Sequence, residues 1–303
     1  MALQQQIKNR SIDQLIGIGI FGVLVLLYAP ILWHWLDGWL YKTISTEHEY
    51  FSHGIIGIPF AAYLAWGNRK KWQRLANKTH PLGGTLLVLG GIFYLTGVTE
   101  WVNLSLPTIL AGLCLWFKGL PGLRLHGFSL LLVLLATPTA VPYLIAPYTF
   151  PLQSFIAGTA GFILNQVGIV AIVDGINIYV NGRIVEVAPY CAGLKMLFTT
   201  IYVSLMLLYW TGTLASRRIT IWFLSTGVII SVIANIIRNT LLSYFHGTGQ
   251  EGAFKWLHDS WGGDLYSALM LLSLVPLLNW MDSYFSVLPD TEPEKDTEVG
   301  VSE

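Results

Sequence analysis

Apolar residues in this chain fall into long runs separated by short polar segments. The runs cover roughly residues 14–36, 52–66, 82–98, 103–117, 126–146, 192–210, 219–243 and 264–285. A bilayer-spanning helix needs about 17–25 mostly apolar residues. Each run is therefore predicted to cross, with the shorter 52–66 and 103–117 drawing on their flanks. A further run, 150–173, has a different pattern. Leu152, Phe155, Ile156, Ala160, Ile163, Val167 and Val170 recur near helical spacing, while Gln153, Ser154, Asn165 and Gln166 avoid that face. This predicts an amphipathic helix that lies at the interface or re-enters rather than crossing. Pro138, Pro142, Pro147 and Pro151 bend the chain ahead of it. The first run follows Lys8 and Arg10 as a signal peptide would. It is long, however, and ends in Trp33-His34-Trp35 without a small-x-small cleavage site, so it reads as a retained anchor.

One polar segment alternates instead. From Gly175 to Val187, β-branched residues flank Asn181-Gly182, the signature of a β-hairpin with a type I′ turn. The second strand leads through Ala188-Pro189-Tyr190 into Cys191 and the helix 192–210.

Composition supports a membrane protein. Hydrophobic residues make up 54% of 303 positions and charged residues 11%, where a soluble domain carries about 25% charged. The net formal charge is zero, so nothing points to a nucleic-acid partner. The distribution of charge sets orientation, because Lys and Arg collect on the cytoplasmic side. With the N-terminus inside, the inner segments hold Lys8, Arg10, Arg69, Lys70, Lys71, Arg74, Lys78, Lys118, Arg124, Arg217, Arg218 and Lys295. The outer ones hold only Lys42, Arg183, Lys195, Arg238 and Lys255. This bias requires 150–173 to stay outside, giving eight spans with both termini cytoplasmic. The twelve tryptophans then fall at span ends or in the last outer loop, the level that indoles prefer. The expected fold is an all-α polytopic membrane protein with about eight transmembrane helices, one interfacial helix and a short extracytoplasmic hairpin. Residues 1–288 form one membrane domain, and 289–303 a disordered acidic cytoplasmic tail.

Candidate chemistry gathers on the outer face. Cys191 stands at or near a helix N-terminus, where unpaired N–H groups and positive potential favour the thiolate, the reactive form. Lys195, one turn on, adds positive charge. Arg238 lies inside the run 219–243, about five residues from its outer end, and an arginine there costs several kcal/mol unless paired or hydrated. Asn235, one turn earlier, is placed to orient it. His258 and Asp259 follow in the outer loop, and histidine exchanges protons near neutral pH. A nucleophile, a proton carrier and a fixed cation are the parts of an acyl-transfer site. Against this stand commoner readings: an inert buried cysteine, a snorkelling arginine and a solvated histidine. Cys114 lies near an inner span end and reads as packing. The two cysteines have no metal-type spacing. A transporter would place polar residues mid-bilayer in several spans, and few are evident. A lipid-modifying acyltransferase would use the same outer face and stays open.

The sequence resembles the exosortases, with the related archaeosortases, over roughly residues 45–285. These are multi-pass membrane transpeptidases proposed to process exported proteins carrying a PEP-CTERM type sorting tail. The resemblance rests on Cys191-Ala192-Gly193-Leu194, Asn235-Ile236-Ile237-Arg238, His258-Asp259-Ser260-Trp261-Gly262 and Phe51-Ser52-His53-Gly54-Ile55-Ile56-Gly57-Ile58-Pro59. The segment Glu47 to Gly54 resembles the cyanobacterial branch. Ala192 stands where the family usually has serine, and Pro189-Tyr190 where a carboxylate often precedes the cysteine. The resemblance implies that Cys191 attacks a peptide carbonyl of a membrane-anchored substrate, that Arg238 steadies the oxyanion or holds the substrate backbone, that His258 carries the proton, and that a second amine, or water in a protease, resolves the thioester. It implies no metal or organic cofactor, and a bacterial plasma-membrane location. His53 is given a place on the same face, with a helix-start role as its alternative.

Overall fold

The structure, a computed structural model, describes residues 2–41, 50–188, 193–258 and 260–287. Among them the fold is helical with one small sheet. Chain order is α1 (Ala2–Tyr41), α2 (Gly54–Gly67), α3 (Arg69–Arg74), α4 (Pro81–Leu95), α5 (Thr99–Ala136), α6 (Val141–Ile145) and α7 (Phe150–Gln166). Then come β1 (Ala171–Asp174), β2 (Asn177–Val180) and β3 (Arg183–Glu186). The chain continues as α8 (Leu194–Trp210), α9 (Arg217–Gly247), α10 (Glu251–His258), α11 (Trp261–Leu272) and α12 (Leu274–Val287). Among the described residues four stretches are long and apolar enough to cross a membrane: Gly17–Leu40, Thr99–Ala136, Arg217–Gly247 and Trp261–Phe285. Gly54–Gly67, Pro81–Leu95 and Leu194–Trp210 are shorter apolar helices. The expected acidic tail lies outside the described residues.

Helix α5 is two limbs. Gly119 sits at φ 62°, ψ −155° within it. A side chain would meet the Lys78 carbonyl oxygen at 3.0 Å there, so the kink needs glycine for both its dihedral and its space. Asn103 Nδ2 donates to the Pro138 carbonyl at 3.0 Å. That bond joins the far ends of residues 99–118 and 120–136, so the limbs run back alongside each other. The first limb packs against α4 through glycines: a Cβ on Gly83 would stand 2.5 Å from Trp116 N, and one on Gly90 2.5 Å from Ile109 Cγ1. Small residues at such contacts let backbones approach where no water drives helices together.

Two tryptophans depart from the interfacial expectation. Trp35 and Trp39 are buried, and Trp35 Nε1 donates to Asn103 Oδ1 at 2.8 Å. The amide gives the indole N–H the partner that headgroups would otherwise supply.

The run 150–173 is not one helix. Helix α7 ends at Gln166, and Gly168 at φ 83° turns the chain into β1. Asn165 closes the turn, donating to the Ala171 carbonyl and accepting from Ala171 N. The buried face of α7 also differs from the expected one: it carries Gln153, Ile156, Ala157, Ala160, Gly161 and Leu164, while Phe155, Val167 and Val170 are exposed. The strands pair antiparallel in the order β1-β2-β3. Asn181 (φ 51°) and Gly182 (φ 78°) connect β2 to β3, the positive dihedrals a type I′ turn demands. Helices α7 and α9 and one face of the sheet share a core of Ile156, Leu164, Ile178, Val180, Val187 and Ile236.

Candidate functional site

Helix α9 is the scaffold. Ser216 accepts from Ile219 N at its start, and 31 residues of helix span about 46 Å. One face is polar and buried: Ser231, Asn235, Asn239 and Ser243 are each no more than 1% exposed. Their spacing of four puts them in line along the helix. With Thr200 and Ser204, buried in α8, they make the interior more polar than the sequence reading expected.

Asn235 is the anomaly in that line. Its Oδ1 and Nδ2 are buried and form no hydrogen bond among the described residues. A buried amide without a partner costs about 1–3 kcal/mol by protein mutational measures. The carboxamide faces Gly193, where an added Cβ would lie 2.8 Å from its Cγ and 2.9 Å from Nδ2. Gly193 caps α8 at φ 81°, ψ 13°, and its carbonyl accepts from Leu197 N at 2.7 Å. Glycine is required there for its left-handed backbone and for the space. Cys191 lies two positions before Gly193 in the sequence. Cys191 itself is outside the described residues, as is Asp259.

Arg238 stands one turn along α9, half-buried. Its Nε is buried without an acceptor, and no ion pair to it forms among the described residues. The expected orientation of Arg238 by Asn235 does not appear as a hydrogen bond. What flanks the guanidinium instead is the start of α11. A Cβ on Gly263 would stand 3.6 Å from Arg238 Nη2 and 2.8 Å from the Leu257 carbonyl oxygen. Tyr266, also on α11, donates from its hydroxyl to the Ala234 carbonyl at 2.5 Å and sits within the field of Arg238. That bond ties α11 to α9 at the level of Asn235. His258 ends α10, half-buried, with its ring stacked on Phe254 at 5.1 Å and 10°. It immediately follows Leu257, whose carbonyl approaches Gly263 beside Arg238.

Two segments thus meet one level of α9, the start of α8 through Gly193 and the start of α11 through Gly263 and Tyr266, and the end of α10 lies against the latter through the Leu257 carbonyl. Lys195 is half-buried in the first turn of α8. His53 has other neighbours. It is buried, its ring lies 4.3 Å from that of Tyr202, and Nε2 bonds the Leu135 carbonyl at 3.1 Å. A carbonyl only accepts, so Nε2 carries the proton. These contacts fasten α2 to α5 and α8 and support a helix-start structural role.

Gly193, Gly263 and Tyr266 were not among the expected site residues. The spacing of Ser231, Asn235, Asn239 and Ser243 is visible in the sequence and was the one available signal for a polar helix face. Among the described residues no group of His, Cys, Asp and Glu is arranged to hold a metal. A cavity of ≈ 1570 Å³ lies elsewhere, between α1, α2 and α5, and Cys114 and Lys118 are among the residues that line it. Cys114 is a free thiol.

Searches of curated proteins and of solved structures return no significant match. The family model for the transmembrane exosortases matches residues 39–275, well over half of the chain. That match spans the segments converging on α9, and the chain belongs to the transmembrane exosortase family.

Proposed function

We propose that this exosortase is a cysteine transpeptidase or peptidase acting at the extracytoplasmic face of the bacterial plasma membrane. Its substrates are exported proteins held in the membrane by a C-terminal tail of the PEP-CTERM type. Eight crossings with both termini cytoplasmic, and α7 kept outside, put Cys191, Arg238 and His258 on that face. The observation that carries the reading is the pair Asn235 and Arg238. One turn apart on α9, the Arg238 Nε and both polar atoms of the Asn235 carboxamide are buried without partners among the described residues, beside the glycine two positions after the cysteine. Groups held unpaired in such a setting are kept for a ligand that brings charge with it.

The chemistry balances with these groups alone. The Cys191 thiol passes its proton to His258, and the sulfur attacks the scissile carbonyl carbon. The resulting oxyanion is stabilised by the Arg238 guanidinium and the Asn235 amide. Collapse breaks the carbon–nitrogen bond, and the leaving amine takes the proton from His258. A thioester remains. An acceptor amine, or water in the hydrolytic variant, attacks it and gives its proton to His258, which returns it to sulfur. Lys195 and the neighbouring Asp259 are assigned to setting the charge around the thiolate and the imidazole. Preorganised donors aimed at developing charge supply about 3–4 kcal/mol each in comparable acyl-transfer sites.

The test is mass spectrometry of a co-expressed reporter. It would be fused to a tail of Pro-Glu-Pro, an apolar span and a basic cluster, with and without this protein. The reading expects a new C-terminus or a new covalent adduct before the span. An unaltered tail on an inserted, exported reporter would count against it. A transporter or a lipid-modifying acyltransferase would leave that tail intact.

A further inference from the structure

Strand β3 is an edge of the three-stranded sheet with no further strand partner among the described residues, and it leads to the cysteine. Pairing of Val180 with Arg183 around the two-residue turn, and the bond from Val187 N to the Ile176 carbonyl, set the phase of the β2–β3 ladder. Arg183, Val185 and Val187 face β2 with their backbone groups. Ile184 and Glu186 turn theirs to the other side. Both residues are exposed, and no backbone bond from either to another element forms among the described residues. An open strand edge is a template for another extended chain.

The edge is firmly held. Asn181 Nδ2 donates to the Gly247 carbonyl at 3.0 Å, Arg183 donates to the His246 carbonyl at 3.0 Å, and Arg183 pairs with Glu251. A Cβ on Gly247 would lie 2.3 Å from Val180 Cγ1, so α9 abuts the hairpin closely. These contacts also fix a direction. The start of β3 lies beside Gly247, near the end of α9, and Gly193 lies beside Asn235, three turns back along that helix. Arg183 thus lies at the level of Gly247 and Gly193 at the level of Asn235, so β3 and the start of α8 follow each other in the direction opposite to α9. Glu186 precedes Cys191 by five positions, a reach of at most about 17 Å of extended chain.

We infer that β3 is the docking strand for the substrate. An extended segment of the exported protein, lying N-terminal to its scissile bond, adds to the Ile184–Glu186 edge as a fourth, parallel strand. This rests on the transpeptidase reading. A substrate anchored by its C-terminal tail enters from the exported side and runs toward the membrane, the direction in which β3 runs. Parallel pairing keeps the two chains in step and delivers the scissile carbonyl to the level of Gly193. Recognition is then by main-chain bonds at alternate residues, with side chains beside Ile184 and Glu186 setting preference. The recognised residues lie about five to eight positions before the cut, from the same extended reach.

Disulfide trapping tests this apart from catalysis. Glu186→Cys would be placed in a protein that also carries Cys191→Ser and Cys114→Ser. The partner is the reporter with the Pro-Glu-Pro tail, bearing single cysteines at successive positions before the span. Oxidation should link the two at alternate positions of the reporter, at least tenfold over the positions between. Ile172→Cys, also exposed but on the opposite edge strand, should give no such links. Links without a period of two, or equal links from Ile172→Cys, overturn the docking strand. Ile184→Pro and Glu186→Pro each remove one outward N–H and leave the β2 ladder intact, as edge prolines do. In the protein with its cysteine they should slow processing at least tenfold, and wild-type rates would refute the pairing. If Cys191→Ser alone still processes the reporter, the transpeptidase reading fails, while the trapping pattern still reports on β3.

Discussion

Asn235→Leu should make the protein more stable and less active. Leucine keeps the branched outline at Cγ and puts methyl groups where Oδ1 and Nδ2 now lie buried without partners. The contact with Gly193 is kept, so neither a void nor a new clash is introduced. Removing an unsatisfied amide from an apolar interior recovers about 1–3 kcal/mol by mutational measures. A membrane protein recovers less, because its unfolded helices stay in the bilayer and find other partners; polar contacts there average about 0.6 kcal/mol. A gain of about 1 kcal/mol is therefore expected. Processing should fall by about tenfold or more, since the amide is assigned to the oxyanion. Purified protein in nanodiscs can be melted by tryptophan fluorescence, with twelve indoles as reporters, and reporter processing measured on the same preparation. A destabilised protein that processes at the wild-type rate would refute the reasoning. It would mean that the carboxamide is structural and that its partner forms inside the fold.

Gly193→Ala should reduce processing by about ten- to a hundredfold with modest loss of stability. A left-handed alanine costs about 1–2 kcal/mol, and its Cβ at 2.8 Å from Asn235 Cγ would displace the segment by a fraction of an ångström, enough to spoil attack geometry. Melting and processing of the variant read both effects, and an unchanged rate would exclude Gly193 from positioning the site. Arg238→Lys should fail in the same assay despite the kept charge, because a point ammonium does not reproduce a planar fork; full activity would reduce Arg238 to a general cation. Cysteines introduced at Asn165 and Asn181 should both react with a membrane-impermeant maleimide in intact cells, and protection of the Asn181 position alone would overturn the topology.

The apolar runs made the membrane helices legible because nothing else in a chain needs so many consecutive apolar residues. The Asn181-Gly182 turn was legible because few dipeptides take two positive dihedrals. The strand β1 was not. Val167 and Val170 fit a helical period, and only Gly168 hinted that the helix stops. Trp35 was misplaced for a related reason. Position along a run gives depth, and whether a neighbouring helix offers Asn103 is a tertiary fact. Of the proposed site, Cys191, Arg238 and His258 stood out by chemistry. Gly193 and Gly263 matter only because α9 comes within van der Waals reach of them. No local pattern reports that approach.

The central claim is that Cys191 is the nucleophile on the extracytoplasmic face. It is tested most directly by exchanging each cysteine in turn, with the shift in reporter size scored in membranes at matched amounts of protein. Cys191→Ser removes one polarizable sulfur and leaves a hydroxyl with no comparable ionised fraction near neutral pH. It should abolish processing while the protein accumulates normally. Cys114→Ser, in the cavity between α1, α2 and α5, should process at the wild-type rate. Wild-type processing by Cys191→Ser would contradict the mechanism, and loss of processing in Cys114→Ser alone would put the chemistry on the other thiol and the other side of the membrane.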